Sequence, residues 1–177
     1  KHFPGHGDTH TDSHLELPVV SHDARRLADV ELVPFRAAAA MGISTLMTAH
    51  VVYEALDPGT PATLSERIAT ELLRHELGFR GLLFSDDLEM KALADRMSVE
   101  ESAVRAIRAG CDALLVCSSF ELAERAHRAL LREAEQDDAF RRCCVQAVDR
   151  GLELRRRFAP RPAPDASGVG GARVRGL

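Results

Sequence analysis

No C-x-x-C pair, no long apolar run and no excess of positive charge occur in this 177-residue chain. Its four cysteines are Cys111, Cys117, Cys143 and Cys144, the last two adjacent on what reads as a helix. That spacing argues against a disulfide framework or a zinc site and fits a reducing cytosol. Without a signal-peptide pattern, or the ~20 apolar residues a bilayer span needs, nothing asks for a membrane partner. The formal net charge of −4 makes no general case for nucleic acid. The tail carries Arg161, Arg173 and Arg175 but no interleaved aromatic residue to stack on bases. Methionine is missing from the first position. Lys1 opens the chain, and the expectation is that the N-terminal part of a longer protein precedes it, with any targeting segment it carried.

What is present is ordinary globular composition, 45% hydrophobic and 28% charged. It falls into three similar units, each an apolar run, a polar turn and an amphipathic helix. The first run, Ile43 to Thr48, ends in Ala49-His50 and leads through a long loop to a helix. Leu64, Ile68, Leu72 and Leu73 form one stripe of that helix, Thr63-x-x-Glu66 reads as its capping box and Gly78 as its terminator. The second run, Gly81 to Phe84, enters Ser85-Asp86-Asp87 and precedes a helix capped by Ser98-x-x-Glu101 and stopped by Gly110. The third, Ala113 to Cys117, precedes a helix capped by Ser118-x-x-Glu121. A further amphipathic helix is predicted over 137–158, and residues 23–42 read as helical with an interruption near Pro34.

Apolar strands, each followed by a helix, predict a parallel sheet with both faces covered. That is an α/β fold, either an open doubly wound sheet or a β/α barrel. A complete (β/α)8 TIM barrel needs ~250 residues, so in the second case the chain is the C-terminal part of one, truncated at its N-terminus. The barrel portion and its C-terminal helix take 1–158; 159–177 is a Pro/Gly/Arg-rich tail, expected to be disordered.

The opening stretch, KHFPGHGDTHTDSH, places histidines at positions 2, 6, 10 and 14. On a helix that spacing would stack four imidazoles as a metal site. Pro4, Gly5 and Gly7, with the turn-favouring Asp8, Thr9, Thr11, Asp12 and Ser13, make it a loop instead, and no metal is expected. A loop so rich in titratable groups binds a ligand or does proton chemistry. In parallel α/β folds functional groups collect at the carboxyl ends of strands, here Thr48-Ala49-His50, Ser85-Asp86-Asp87 and Ser118-Ser119. One Asp at such a place is a common cap; two in succession ask for a further role. In Asp12-Ser13-His14 an extended backbone sends residues i and i+2 to the same side. Asp12 can then bond the His14 ring, fixing its tautomer and raising its pKa. A strand-end carboxylate nucleophile and an Asp-His acid/base are the minimal equipment of a retaining glycosidase. On residues alone the reading stops at a hydrolase-like site.

The stretches KHFPGHG, D-S-H, MTAHVVY, PAT and GFRGLLFSDDLEM, in order from Lys1 to about residue 118, closely resemble one bacterial family. They are similar to the β-N-acetylglucosaminidases (β-hexosaminidases) of glycoside hydrolase family 3, the NagZ type of peptidoglycan recycling, which the D-x-H element marks within the family. The resemblance implies a (β/α)8 barrel. It also implies a retaining exo-enzyme that removes non-reducing terminal β-1,4-linked N-acetylglucosamine from muropeptides through a covalent glycosyl-enzyme. By the motif, Asp86 is the nucleophile, His14 the acid/base and Asp12 the residue that orients and charges His14. Lys1 and His2 match a pair that hydrogen-bonds sugar hydroxyls, Met90 resembles a residue lining that pocket, and His50 is a candidate for its wall. Asp87 is then structural, and His6 holds the loop.

No metal or organic cofactor is implied. The implied partner is a peptidoglycan-derived amino sugar, with no nucleic acid or membrane, in a cytoplasmic enzyme that is a monomer at full length. An imidazole does not repel Asp86 as a second carboxylate would, and it tolerates an anionic acceptor, so phosphorolysis stays open beside hydrolysis. The alternatives are a family 3 β-glycosidase of other specificity and a non-catalytic sugar-binding barrel. The first usually draws its acid/base from a second domain; the second would be favoured by loss of Asp86 or His14, and both are present. Half a barrel exposes sheet edges, so the isolated piece is expected to be poorly stable and nearly inactive.

Overall fold

The computed structural model describes residues 1–9, 13 and 16–159. In chain order its elements are β1 (Val19–Val20), α1 (Ala24–Arg26), α2 (Val33–Ala40), β2 (Thr45–Met47), β3 (Val52–Tyr53), β4 (Leu82–Asp87), α3 (Lys91–Ala94), α4 (Val99–Ala109), β5 (Ala113–Leu115), α5 (Phe120–Gln136) and α6 (Asp138–Arg157). Two further helical segments, Leu27–Glu31 and Arg67–Glu76, are wound with π-type hydrogen bonds, and Ala62–Leu64 is a 3-10 turn.

Local signals set several of these boundaries. Pro34 stands at the first turn of α2, where its missing N–H costs nothing, and the helical stretch restarts there. Ser98 caps α4 by accepting from the Glu101 N–H, and Gly110 ends it at φ +120°. Gly78, at φ +71°, follows the helix Arg67–Glu76. Two expected caps belong to neighbouring residues. Ser65, not Thr63, accepts from the Ile68 N–H (3.2 Å), because the Thr63 hydroxyl is occupied beside His50. Ser119, not Ser118, caps α5, because the Ser118 hydroxyl donates to Glu89.

The main sheet is parallel, in the order β2–β4–β5, with Leu46 opposite Leu83 and Phe84 opposite Ala113. Phe3 extends it beyond β2 by a parallel bridge to Thr48, its N–H donating to Met47 O at 2.7 Å. Between Phe84 and Asp87, β4 spends three steps against two on β5, from Ala113 to Leu115, which is a bulge. The pair β1–β3 lies apart as a second parallel ladder; two-residue strands leave no alternation to read in the sequence.

Leu46 and Leu83 are buried in one core with Ile68, Leu73, Ala103 and Ala106 from the helices. The other face differs from expectation. Met47, Phe84 and Leu115 are half-buried, and with Lys1 and Thr45 they border an open concavity of about 370 Å³. The α/β class with parallel strands therefore holds, while among the described residues the sheet is an open arc and no barrel closes.

α6 is tied to the strand starts through Asp112, whose side chain is 1% exposed. Its Oδ2 accepts from Arg74 Nη2 (2.6 Å) and from the Leu83 N–H (2.8 Å), and its Oδ1 from Arg150 Nη1 on α6 (2.8 Å). The tail expected from 159 lies, from 160 onward, outside the described residues.

Candidate active site at the carboxyl ends of the strands

The opening segment, the end of β2 and the end of β4 converge at one end of the arc. The bulge in β4 buries Ser85, whose hydroxyl accepts from the Leu115 N–H at 3.0 Å, and the next residue is Asp86. Asp86 Oδ1 accepts from the Asp87 N–H at 2.9 Å. Its Oδ2 lies 3.7 Å from His2 Nε2, a close electrostatic neighbour beyond hydrogen-bond length. The Asp86 side chain is 14% exposed, so its carboxylate is reachable yet largely walled in. Burial holds the His2 pKa below its ordinary value against the raising effect of Asp86, which favours a neutral ring.

Asp87 takes the structural part: its Oδ1 accepts from the Glu89 N–H (3.1 Å) and its carbonyl from the Met90 N–H (3.1 Å). Glu89 in turn clasps the end of β5, accepting from the Ser118 N–H (2.6 Å) and hydroxyl (2.7 Å). These bonds hold the Glu89 carboxyl below the usual carboxylate range. Neither the Glu89 clasp nor the Asp112 ion cluster was read from the sequence.

Lys1 is exposed and borders the concavity, and also, with His2, a second cavity of about 430 Å³ floored by Pro34 and Phe35. Met90 is buried at 8% exposure where the turn after β4 enters α3. His50, expected at a pocket wall, is fully buried, with both ring nitrogens engaged. His6 does anchor the opening loop, Nδ1 at 3.0 Å from Thr9 Oγ1 and Nε2 at 2.9 Å from Ser13 Oγ. Asp12 and His14, on either side of the buried Ser13, lie outside the described residues.

Among the described residues one group of metal-ligating side chains comes together, Asp8, His22 and Glu31, with ligand atoms within 4.8 Å of one another. A guanidinium already sits among them: Arg26 Nη2 is 3.1 Å from Glu31 Oε1 and 3.5 Å from Asp8 Oδ2. All four cysteines are free thiols, and burial pushes Cys111 up to about 12.

The family model described as the glycosyl hydrolase family 3 N terminal domain matches residues 1–145. The chain belongs to glycosyl hydrolase family 3. Among its family 3 relatives, a β-hexosaminidase of Alkalilimnicola ehrlichii is 48% identical over 118 residues, covering 67% of this chain and 34% of that protein. One of Nitrosomonas eutropha is 43% identical over 127 residues, covering 70% and 35%. A solved family 3 β-N-acetylglucosaminidase from Paenibacillus sp. str. FPU-7 superposes with a TM-score of 0.85 at 42% identity, over 95% of this chain and 33% of that one. The chain thus spans about a third of the length of the curated family 3 relatives it matches.

Proposed function

We propose that this chain forms part of a retaining exo-β-N-acetylglucosaminidase. The observation that carries the reading is the Asp86 carboxylate: it stands at the carboxyl end of β4, with Oδ1 held by a backbone N–H and Oδ2 turned to His2. The naming of the family 3 relatives as β-hexosaminidases and a β-N-acetylglucosaminidase supports the same substrate class. The parallel arc, helices outside and concavity inside, is what the C-terminal part of a (β/α)8 barrel would present.

In this reading Asp86 attacks the anomeric carbon as His14 protonates the departing glycosidic oxygen. The bond to the leaving alcohol breaks as the glycosyl–Asp86 ester forms. His14, now neutral, takes a proton from water, whose oxygen displaces Asp86 and releases the sugar. Asp12 keeps the His14 tautomer, Lys1 and His2 bind ring hydroxyls, and Met90 lines the sugar pocket. The substrate is a muropeptide-derived amino sugar of peptidoglycan recycling, the site of action the cytoplasm and the full-length enzyme a monomer. These last assignments rest on the D-x-H resemblance.

The test is turnover of 4-nitrophenyl β-N-acetylglucosaminide and the matching β-glucoside by the intact gene product, its Asp86→Ala and its His14→Ala. The N-acetyl substrate alone should turn over, both variants should lose orders of magnitude, and the His14 loss should be about 10² to 10⁴. Wild-type behaviour of His14→Ala on a poor leaving group would remove the Asp-His acid/base from the mechanism.

A further inference from the structure

His50 lies directly beneath the strand end that carries Asp86, and its contacts run one way. Its Nε2 is 2.9 Å from the Asp87 carbonyl oxygen. A carbonyl only accepts, so Nε2 carries the proton. The ring is fully buried, and desolvation, the largest influence on it, keeps it neutral; Nδ1 is then bare and faces the Thr63 hydroxyl at 2.8 Å, whose single proton is shared between that nitrogen and the Ala49 carbonyl at 3.0 Å. Behind it the Thr48 hydroxyl, 2.8 Å from Thr63 Oγ1, donates to that oxygen. In this chain of hydrogen bonds the Asp87 carbonyl at Nε2 and the Thr63 hydroxyl at Nδ1 leave His50 one tautomer and one orientation.

At its far end the chain reaches Asp87, which is held at every polar atom the turn uses. Its carbonyl accepts from His50 and from the Met90 N–H, its Oδ1 accepts from the Glu89 N–H, and its own N–H donates to Asp86 Oδ1. The carbonyl and the N–H lie in adjacent peptide units joined at the Asp87 Cα, so a displacement of that Cα on loss of the His50 bond would carry the N–H with it. An apolar side chain of equal bulk at position 50 would fill the space, yet it would strip the Asp87 carbonyl of its side-chain donor and leave the buried Thr63 hydroxyl the Ala49 carbonyl alone as acceptor.

We propose that His50 is a positioning residue for Asp86, acting through the Asp87 backbone and steadied in its orientation by Thr63, and that it does not touch the sugar. The inference rests on Asp86 being the nucleophile. It accounts for a buried histidine just beyond the end of β2, the strand next to β4, thirty-six residues before Asp86 in the sequence.

Three variants of the intact gene product test it, with thermal melting to confirm folding: His50→Phe, His50→Gln and Thr63→Val. His50→Phe keeps bulk and removes both nitrogens. His50→Gln keeps an N–H of similar reach to the Asp87 carbonyl. Thr63→Val removes the hydroxyl that holds the ring at Nδ1. On 4-nitrophenyl β-N-acetylglucosaminide, His50→Phe should lose about 10²-fold in kcat, the scale of a nucleophile misplaced by an ångström. KM should stay near wild type, because no substrate contact is removed. His50→Gln should recover most of that loss, and Thr63→Val should lower kcat at unchanged KM. A folded His50→Phe with wild-type kcat, a loss confined to KM, or a His50→Gln no better than His50→Phe would overturn the proposal. If His50→Phe does not fold, Thr63→Val decides: reduced kcat at constant KM supports the proposal and wild-type kcat overturns it. An intact gene product inert on every β-glycoside tried would instead bring down the reading of Asp86, and this inference with it.

Discussion

Two histidines near Asp86 are kept neutral by burial, and this has a thermodynamic side. His50 sits below its ordinary value of 6.5 because burial outweighs its bond to the Asp87 carbonyl, and His2 is lowered by partial burial against the pull of Asp86. Below about pH 6.5 the unfolded chain binds protons that the folded chain refuses, so acid favours unfolding. This contribution to stability is complete above 6.5 and is lost as the pH falls through that value toward the lower folded-state pKa. The unfolding midpoint of the intact gene product should drop between about pH 7 and pH 5, and His50→Gln should flatten part of the drop. An equal slope in wild type and variant would show that His50 is not the group being titrated. Asp86 itself was legible in the sequence, since two carboxylates after an apolar run stand out without help from the fold. The inward turn of His50 was not, because its partners at positions 63 and 87 are chosen by strand pairing rather than by spacing.

Elements show the same division. Ser98 and Gly110 mark the ends of α4 as expected, since a cap and a left-handed stop are decided within one helical turn. Thr63 and Ser118 failed as caps for the opposite reason: each hydroxyl has a distant competitor, His50 or Glu89, that no local pattern announces. The Arg74–Asp112–Arg150 cluster is of this distant kind, joining a π-wound helix, the start of β5 and α6. Asp112→Ala would leave Arg74, 9% exposed at its side chain, without its carboxylate, and would strand the Leu83 N–H. Removal of one partner from a buried pair costs about 3–5 kcal/mol, and urea unfolding of the intact gene product should show a loss of that order. A change under about 1 kcal/mol would mean that the cluster is solvated in solution.

At the scale of the whole molecule, apolar periodicity gave the parallel α/β class, but not how much of each sheet face is covered. Met47, Phe84 and Leu115 border an open concavity, and α6 presents Val145, Val148 and Leu152 at 54%, 59% and 40% exposure, spaced as one helical face. Contiguous apolar surface of this kind is a site of association. These 177 residues expressed alone should therefore bind the dye ANS and self-associate in sedimentation velocity. A dye-silent monomer would show that both faces are covered from within the chain.

The bulge in β4 makes the position of the Asp86 carboxylate a matter of counting. Side chains alternate along a strand, so parity decides which of them meets the helices and which meets the mouth of the arc. The surplus step between Phe84 and Asp87 resets that parity once, just where Ser85 takes the Leu115 N–H and Asp86 comes free. Loss of Ser85 as a residue, rather than as a hydroxyl, would move Asp86 one step back along the ladder. Its charge would then face the packed layer behind Leu83. In this stretch, chain length is a stricter requirement than side-chain identity at position 85.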